Sequence, residues 1–124
     1  MQWLAVALGG ALGAMGRFAI TGYAFPILEN RFPLGTLIVN VLGSLLMGIL
    51  YVTIIEKGIL PAEWRNFAMA GLLGAFTTFS TFSLDALNLW QNGHATLAAS
   101  YVLLSVALCL LAVAIGVNVT LKLL

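Results

Sequence analysis

The sequence predicts an all-α integral membrane protein with four transmembrane helices per subunit, the third of them broken. Three observations carry this prediction. Of the 124 residues 62% are hydrophobic and 7% charged, and the mean hydropathy is +1.10; a soluble domain carries roughly 25% charged residues. The charged residues, Arg17, Glu29, Arg31, Glu56, Lys57, Glu63, Arg65, Asp85 and Lys122, mostly fall where one apolar stretch gives way to the next. Within the third stretch the run "GAFTTFSTFS" (74–83) stands where lipid favours Leu and Val.

At about 20 apolar residues per crossing, the spans read as 2–22, 34–55, 64–91 and 96–121, with a break near 74–81, all within one membrane domain over 1–124. The connections are short: "AFPILENRFP" (24–33), "EKGILPAE" (56–63) and "QNGH" (91–94) are rich in Pro, Gly and polar residues. They leave no room for a soluble domain. The first span lacks a basic leader and a polar cleavage region, so it is not read as a removable signal peptide. Cys109 is the single cysteine and cannot form an internal disulfide. A net charge of +1 carries no nucleic-acid signature.

Span one holds Gly9, Gly10, Gly13 and Gly16, and the GxxxG pair at Gly9 and Gly13 reads as a helix contact. Arg17 lies close enough to the span's end for two readings to stand, snorkelling to the interface or drawing anions toward a vestibule. In span two, Thr36, Asn40, Gly43, Ser44, Met47, Gly48 and Tyr51 share one side of a helix, with Leu37 the chief apolar intruder. That face is suited to protein or water. Gly43, Ser44 and Gly48 are explained by close helix packing. Asn40 demands more, because a mid-helix carboxamide has two donors to satisfy and is costly to bury unpaired. Span four repeats the pattern faintly in Tyr101, Ser105, Cys109, Ala112 and Gly116. Asn118, Val119 and Thr120 match a glycosylation pattern but sit at a helix end, where it is discounted.

In span three a continuous helix would set Phe76, Phe79 and Phe82 on one side and Thr77, Ser80 and Thr81 on another. Ser and Thr compete for backbone hydrogen bonds, and Gly71 and Gly74 precede them, so the helix has reason to break. A break frees carbonyls and amides at membrane depth, which is tolerated only where they line a cavity or bind an ion. Hydroxyl and carboxamide donors with almost no fixed charge suit an anion, and aromatic ring edges carry the positive side of the quadrupole. Asp85 follows the run and reads as a partly solvated carboxylate near the helix end, with an ion-pathway role as the alternative. Enzymatic chemistry has no footing: His94 sits in a turn without a second ligand at metal spacing.

Four crossings put the N-terminus, Lys57, Arg65 and Lys122 on one side and Arg17 and Arg31 on the other. Three basic residues against two is too weak a bias for the positive-inside rule to decide. Insertion in both orientations is left open, and an antiparallel homodimer would follow from it.

Gly13 and Ala14 with Arg17, "GTLIVNVLGSLLMG" (35–48) and "GLLGAFTTFSTFS" (71–83) resemble, in this order, the fluoride channel family called Fluc or CrcB. The likeness covers essentially the whole chain. Its third motif is highly specific; the first is weak by itself. The resemblance implies a dual-topology, antiparallel homodimer in the cell inner membrane, with two pores that conduct fluoride passively and exclude chloride. It implies that Asn40 donates to fluoride, that Phe79 and Phe82 turn ring edges to the ion path, and that Ser80 and Thr81 continue a hydroxyl track. Tyr101 and Ser105 would be the polar pair of span four, and Arg17 the arginine near the vestibule. A structural sodium ion at the dimer centre would rest on the backbone carbonyls of Gly74 and Thr77. Phe18, Leu45 and Asp85 depart from the family's common residues, Tyr, Phe and Glu; none touches the proposed donors.

Two rivals are weighed against this. A small multidrug-resistance-type carrier, also four spans and dual-topology, should carry a mid-membrane carboxylate in span one, where Arg17 is the sole ionisable side chain. A non-transporting scaffold subunit would use Asn40 and the hydroxyls only to glue helices.

Overall fold

The computed structural model describes residues 1–26 and 32–124. Its helices are α1 (Gln2–Ala24), α2 (Leu34–Glu56), α3 (Arg65–Gln91) and α4 (Ala95–Leu123), each long and apolar enough to cross a membrane. The described residues contain no strand. These helices make the chain a multi-pass membrane protein. Glu29 and Arg31, part of the charge pattern of the first connection, lie outside the described residues.

The helices stop where chain chemistry stops them. Gly93 follows α3 with φ of 85°, a left-handed value that favours glycine, and its turn reverses the chain into α4. Gly58 does the same service after α2 at φ of 60°. The ends of α1 and α2 are wound wide in i→i+5 turns, over Ala19–Ala24 and Tyr51–Glu56. The first stretch of α3, Arg65–Leu73, is wound in the same way.

Two tight contacts organise the bundle. The first half of α3 packs on α1, and α4 packs on α2. In lipid, apolar side chains gain nothing from meeting each other instead of acyl tails, so association depends on close packing and interhelical hydrogen bonds. Small residues supply the closeness. A Cβ on Gly13 would collide with the carbonyl oxygen of Leu72, and one on Gly9 with that of Phe67. Across the other contact, a Cβ on Gly48 would lie 2.5 Å from the Val113 oxygen, and one on Gly116 2.5 Å from the Leu45 oxygen. The glycine pattern of α1 is therefore used inside the subunit, against α3.

Two buried clusters fill the interior. Val39, Leu73 and Phe76 form one around the first half of α3. Leu37, Phe82, Leu89, Ala98 and Tyr101 form the other, between α2, the second half of α3 and α4. Trp3, Trp64 and Trp90 stand exposed at or beside helix ends, the depth at which indole bridges acyl chains and headgroups.

Candidate functional site

The third helix breaks at Thr77 and Thr78, which are extended at φ −87°, ψ 158° and φ −152°, ψ 118°. Both lie roughly 20 Å from either end of α3 at 1.5 Å per residue, near the centre of a bilayer. Free backbone groups there are expensive, and the sequence provides for them one by one.

Thr77 ends the first half. Its amide and its Oγ1 both donate to the Leu73 carbonyl, at 3.1 and 2.9 Å. Thr78 begins the second half: its Oγ1 accepts the Thr81 amide at 3.1 Å, a helix N-cap. The remaining groups of Thr78 go to Asn40 on α2. Asn40 Nδ2 donates to the Thr78 carbonyl at 3.1 Å, and the Thr78 amide donates to Asn40 Oδ1 at 2.8 Å. One side chain thus mimics a strand partner for one residue. Gly43, one turn along α2, leaves the space that the Thr77 methyl occupies; a Cβ there would strike it.

Arg17 braces the break from α1, its Nε donating to the Ala75 carbonyl at 3.0 Å. The sequence alone gave it snorkelling or anion attraction. The bond to Ala75 turns its guanidinium into the bundle and away from snorkelling, and leaves the anion reading open. No carboxylate pairs with it among the described residues. Arg17 and Asn40 take the Ala75 and Thr78 carbonyls, whereas the carbonyls of Gly74 and Thr77 accept no hydrogen bond among the described residues. No group of three or more His, Cys, Asp or Glu side chains among the described residues could hold a metal. A cation at this site would therefore rest on backbone oxygens.

Beside the break an open groove of about 450 Å³ runs between α2, α3 and α4. Asn40, Gly43 and Ser44 line one wall, Thr77, Thr78, Phe79 and Phe82 the second, and Ser105 and Cys109 the third. The Ser105 hydroxyl is buried and has no partner among the described residues. Phe79 is 78% exposed at mid-depth, while Phe82 is buried. Their ring centroids are 5.5 Å apart at 49°.

The structure gathers Asn40, Phe79, Phe82 and Ser105 on this groove and leaves other expected residues off it. Ser80 is exposed, its hydroxyl 3.3 Å from that of Thr78; Thr81 is half-buried, with its amide on the cap. Tyr101 is fully buried behind Phe82, ring centroids 5.2 Å apart, and its hydroxyl donates to Asp85 Oδ2 at 3.1 Å. The break also undoes the single aromatic stripe of a continuous helix, since Phe76 joins the first cluster and Phe82 the second.

Asp85 is a correction. It is not a partly solvated carboxylate at a helix end but is 7% exposed and bonded to Tyr101. The helix ends at Gln91, where the sequence placed the span's end, so it is packing against Tyr101 of α4 and not depth along the span that shields Asp85. Its spacing of three from Phe82 puts it on the inward face, a signal the sequence contained. Thr78, the residue that Asn40 holds, was not singled out either; the only hint was its place just after Gly74 in a run of hydroxyls.

Fold and site together define a class: small polytopic membrane proteins whose third helix is interrupted at mid-depth beside a hydroxyl-bearing groove. A family model described as "CrcB-like protein, Camphor Resistance (CrcB)" matches residues 4–117. The chain belongs to the CrcB family. It is 54% identical over 121 residues to a protein of Saccharophagus degradans, covering 98% of this chain and 90% of that one. It is 48% identical over 115 residues to a protein of Hahella chejuensis, covering 93% and 91%. A protein of Methylococcus capsulatus is 50% identical over 116 residues, which span 94% of this chain and 51% of the longer relative. All three relatives carry the name fluoride-specific ion channel FluC.

Proposed function

We propose that the chain is a fluoride-selective passive channel, assembled as an antiparallel, dual-topology homodimer with two pores in the cell membrane. The observation that carries this is the pinned break: a mid-membrane interruption whose groove offers neutral hydrogen-bond donors beside an exposed aromatic ring. The names of the relatives point to the same ion.

Fluoride is small and holds its water tightly, so a path for it must substitute closely spaced donors for that water while leaving a larger halide undercoordinated. Asn40 has such a donor to give. One N–H of its carboxamide is used on Thr78 and the second has no partner among the described residues. The unpartnered Ser105 hydroxyl continues the donors along the groove, and Ser80 and Thr81 extend a hydroxyl track from the break. Phe79 and Phe82 present ring edges, whose positive quadrupole attracts an anion weakly enough to release it. Tyr101 belongs to the wall behind them. Arg17, braced at the break, brings a fixed cation near the site without standing in the groove, and so draws anions without trapping them.

Neutral donors bind reversibly, so flow is passive and follows the electrochemical gradient, carrying fluoride outward from a negative interior. A sodium ion fits the break as a structural element held by the Gly74 and Thr77 carbonyls of both copies; its charge would neutralise carbonyl dipoles that protein donors leave unmet.

The test is fluoride efflux from liposomes holding the purified protein, followed with a fluoride electrode, with chloride in parallel and Phe79→Ile as control. Fast fluoride release without chloride release, lost in the variant, is the expected result. Well-folded protein that releases no fluoride would overturn the reading.

A further inference from the structure

We propose that Asp85 is a positioning residue for Phe82, acting through the phenol of Tyr101. The inference rests on the channel reading above, and its geometry is read from three consecutive contacts. Asp85 Oδ2 accepts the Tyr101 hydroxyl at 3.1 Å. The Tyr101 ring meets the Phe82 ring at 5.2 Å and 48°. Phe82 in turn meets Phe79 at 5.5 Å and 49°, and these two rings stand on the groove.

The carboxylate needs a reason to be there. It is 7% exposed, lies off the groove, and has no basic partner among the described residues, although a buried carboxylate in a membrane is costly. A carboxyl oxygen accepts the phenol's proton, so the bond fixes the phenol as donor and ties α3 to α4 at the far end of the Tyr101 ring. With its far end held, the Tyr101 ring cannot swing about χ1. On its other side the edge of Phe32 closes the slot, ring centroids 5.3 Å apart at 90°. Phe82 therefore packs against a fixed surface, while Phe79 leans on Phe82 and is otherwise 78% exposed. Of the two rings offered to the ion, Asp85 sets one.

This assigns the Tyr101 proton to Asp85 rather than to the ion, so Tyr101 acts on selectivity through its ring. Removing the bond should loosen Phe82 with little change in fold stability, because single interhelical hydrogen bonds in membranes contribute little on average.

The experiment compares Tyr101→Phe, Asp85→Leu, the double variant and Asp85→Asn in the liposome assay, with thermal unfolding measured on each. Tyr101→Phe keeps the ring and loses the bond; Asp85→Asn keeps an acceptor for it. The expected result is that Tyr101→Phe and Asp85→Leu each lower the ratio of fluoride to chloride flux by roughly two- to tenfold, the scale of one aromatic pair. The double variant should be no worse than either, and Asp85→Asn should retain the wild-type ratio. An unchanged ratio in Tyr101→Phe overturns the proposal. So does an Asp85→Asn variant as impaired as Asp85→Leu, since the charge would then act on the ion directly. A second arm needs no flux: fluorine NMR of the protein with 4-fluorophenylalanine in place of Phe82. One narrow line that broadens or splits in Tyr101→Phe supports the positioning role, and an unchanged line overturns it, even if the wild-type protein conducts no fluoride and the channel reading itself fails.

Discussion

Asn40 shows how much one side chain is asked to do at membrane depth. Its carbonyl and one of its N–H groups close the two backbone groups of Thr78 that the broken helix leaves open, and its second N–H is left for a ligand. Replacing it separates these tasks. Asn40→Ala leaves the part-buried amide and carbonyl of Thr78 without partners, each costing at most about 1–3 kcal/mol, so the variant should unfold at lower temperature in detergent and its Thr78 amide should exchange hydrogen faster. Asn40→Asp keeps an acceptor for the Thr78 amide but turns a carboxylate oxygen toward the Thr78 carbonyl and a negative charge toward the groove. It should fold better than Asn40→Ala at low pH, where it is protonated, and conduct no fluoride at neutral pH. Equal stability of Asn40→Ala and wild type would remove Asn40 from the break. Arg17 is the second such residue. Its planar fork lets Nε reach the Ala75 carbonyl while the Nη groups stay available, a division that a lysine ammonium cannot reproduce.

At the level of elements, the break works only because α1 and α2 approach α3 closely enough to hold it. The glycines of α1 decide this, and they are not equivalent. A Cβ on Gly13 would run into the Leu72 carbonyl oxygen, whereas one on Gly10 would find nothing nearer than the Gly71 oxygen at 4.0 Å. Gly10→Ala should therefore be neutral or slightly stabilising, since Ala is the better helix former. Gly13→Ala should cost about 1–3 kcal/mol by pushing α1 off α3 and slacken the Arg17 bond to Ala75. Thermal unfolding of the two variants checks the difference, and equal stability would contradict the packing described. The same contrast explains what was legible in the sequence. Four helices were, because hydropathy sums over some 20 residues and tolerates errors at each end; so was an interruption in α3, because Gly71, Gly74 and five Ser or Thr residues between 77 and 83 all weaken one helical stretch. Partnerships were not. Asn40 meets Thr78 across 38 positions and Tyr101 meets Asp85 across 16, and no local pattern encodes such pairs. Arg17 belongs with them, since its bond to Ala75 spans 58 positions.

For the molecule as a whole, the notable feature is a groove, apolar but for a few hydroxyl and carboxamide groups, that one subunit leaves open at the centre of the membrane. Phe79, Ser80 and Ser83 lie on its outer surface at or near mid-depth, where lipid offers hydroxyls no partners. A second copy is the cover we propose, and the charge pattern bears on its orientation. With Arg17 drawn into the bundle, the flanking basic residues are few, Lys57, Arg65 and Lys122 on one side and Arg31 on the other, a small bias of the kind an antiparallel pair from one gene product requires. The pattern also makes the proposal testable by tilting the balance. Gln91→Lys with Asn92→Lys adds two positive charges to the connection between α3 and α4; Glu56→Lys with Glu63→Lys replaces two negative charges by two positive ones in the connection between α2 and α3, on the opposite side. All four positions are exposed and outside the groove, so folding should be spared. Each biased chain expressed alone should insert one way round, find no antiparallel partner and give liposomes without fluoride efflux. Co-expression of the two should restore efflux, and engineered cysteine crosslinks should form between unlike chains only. Full activity of either biased chain alone would contradict antiparallel assembly and point to a parallel pair, or to a subunit that closes its own groove.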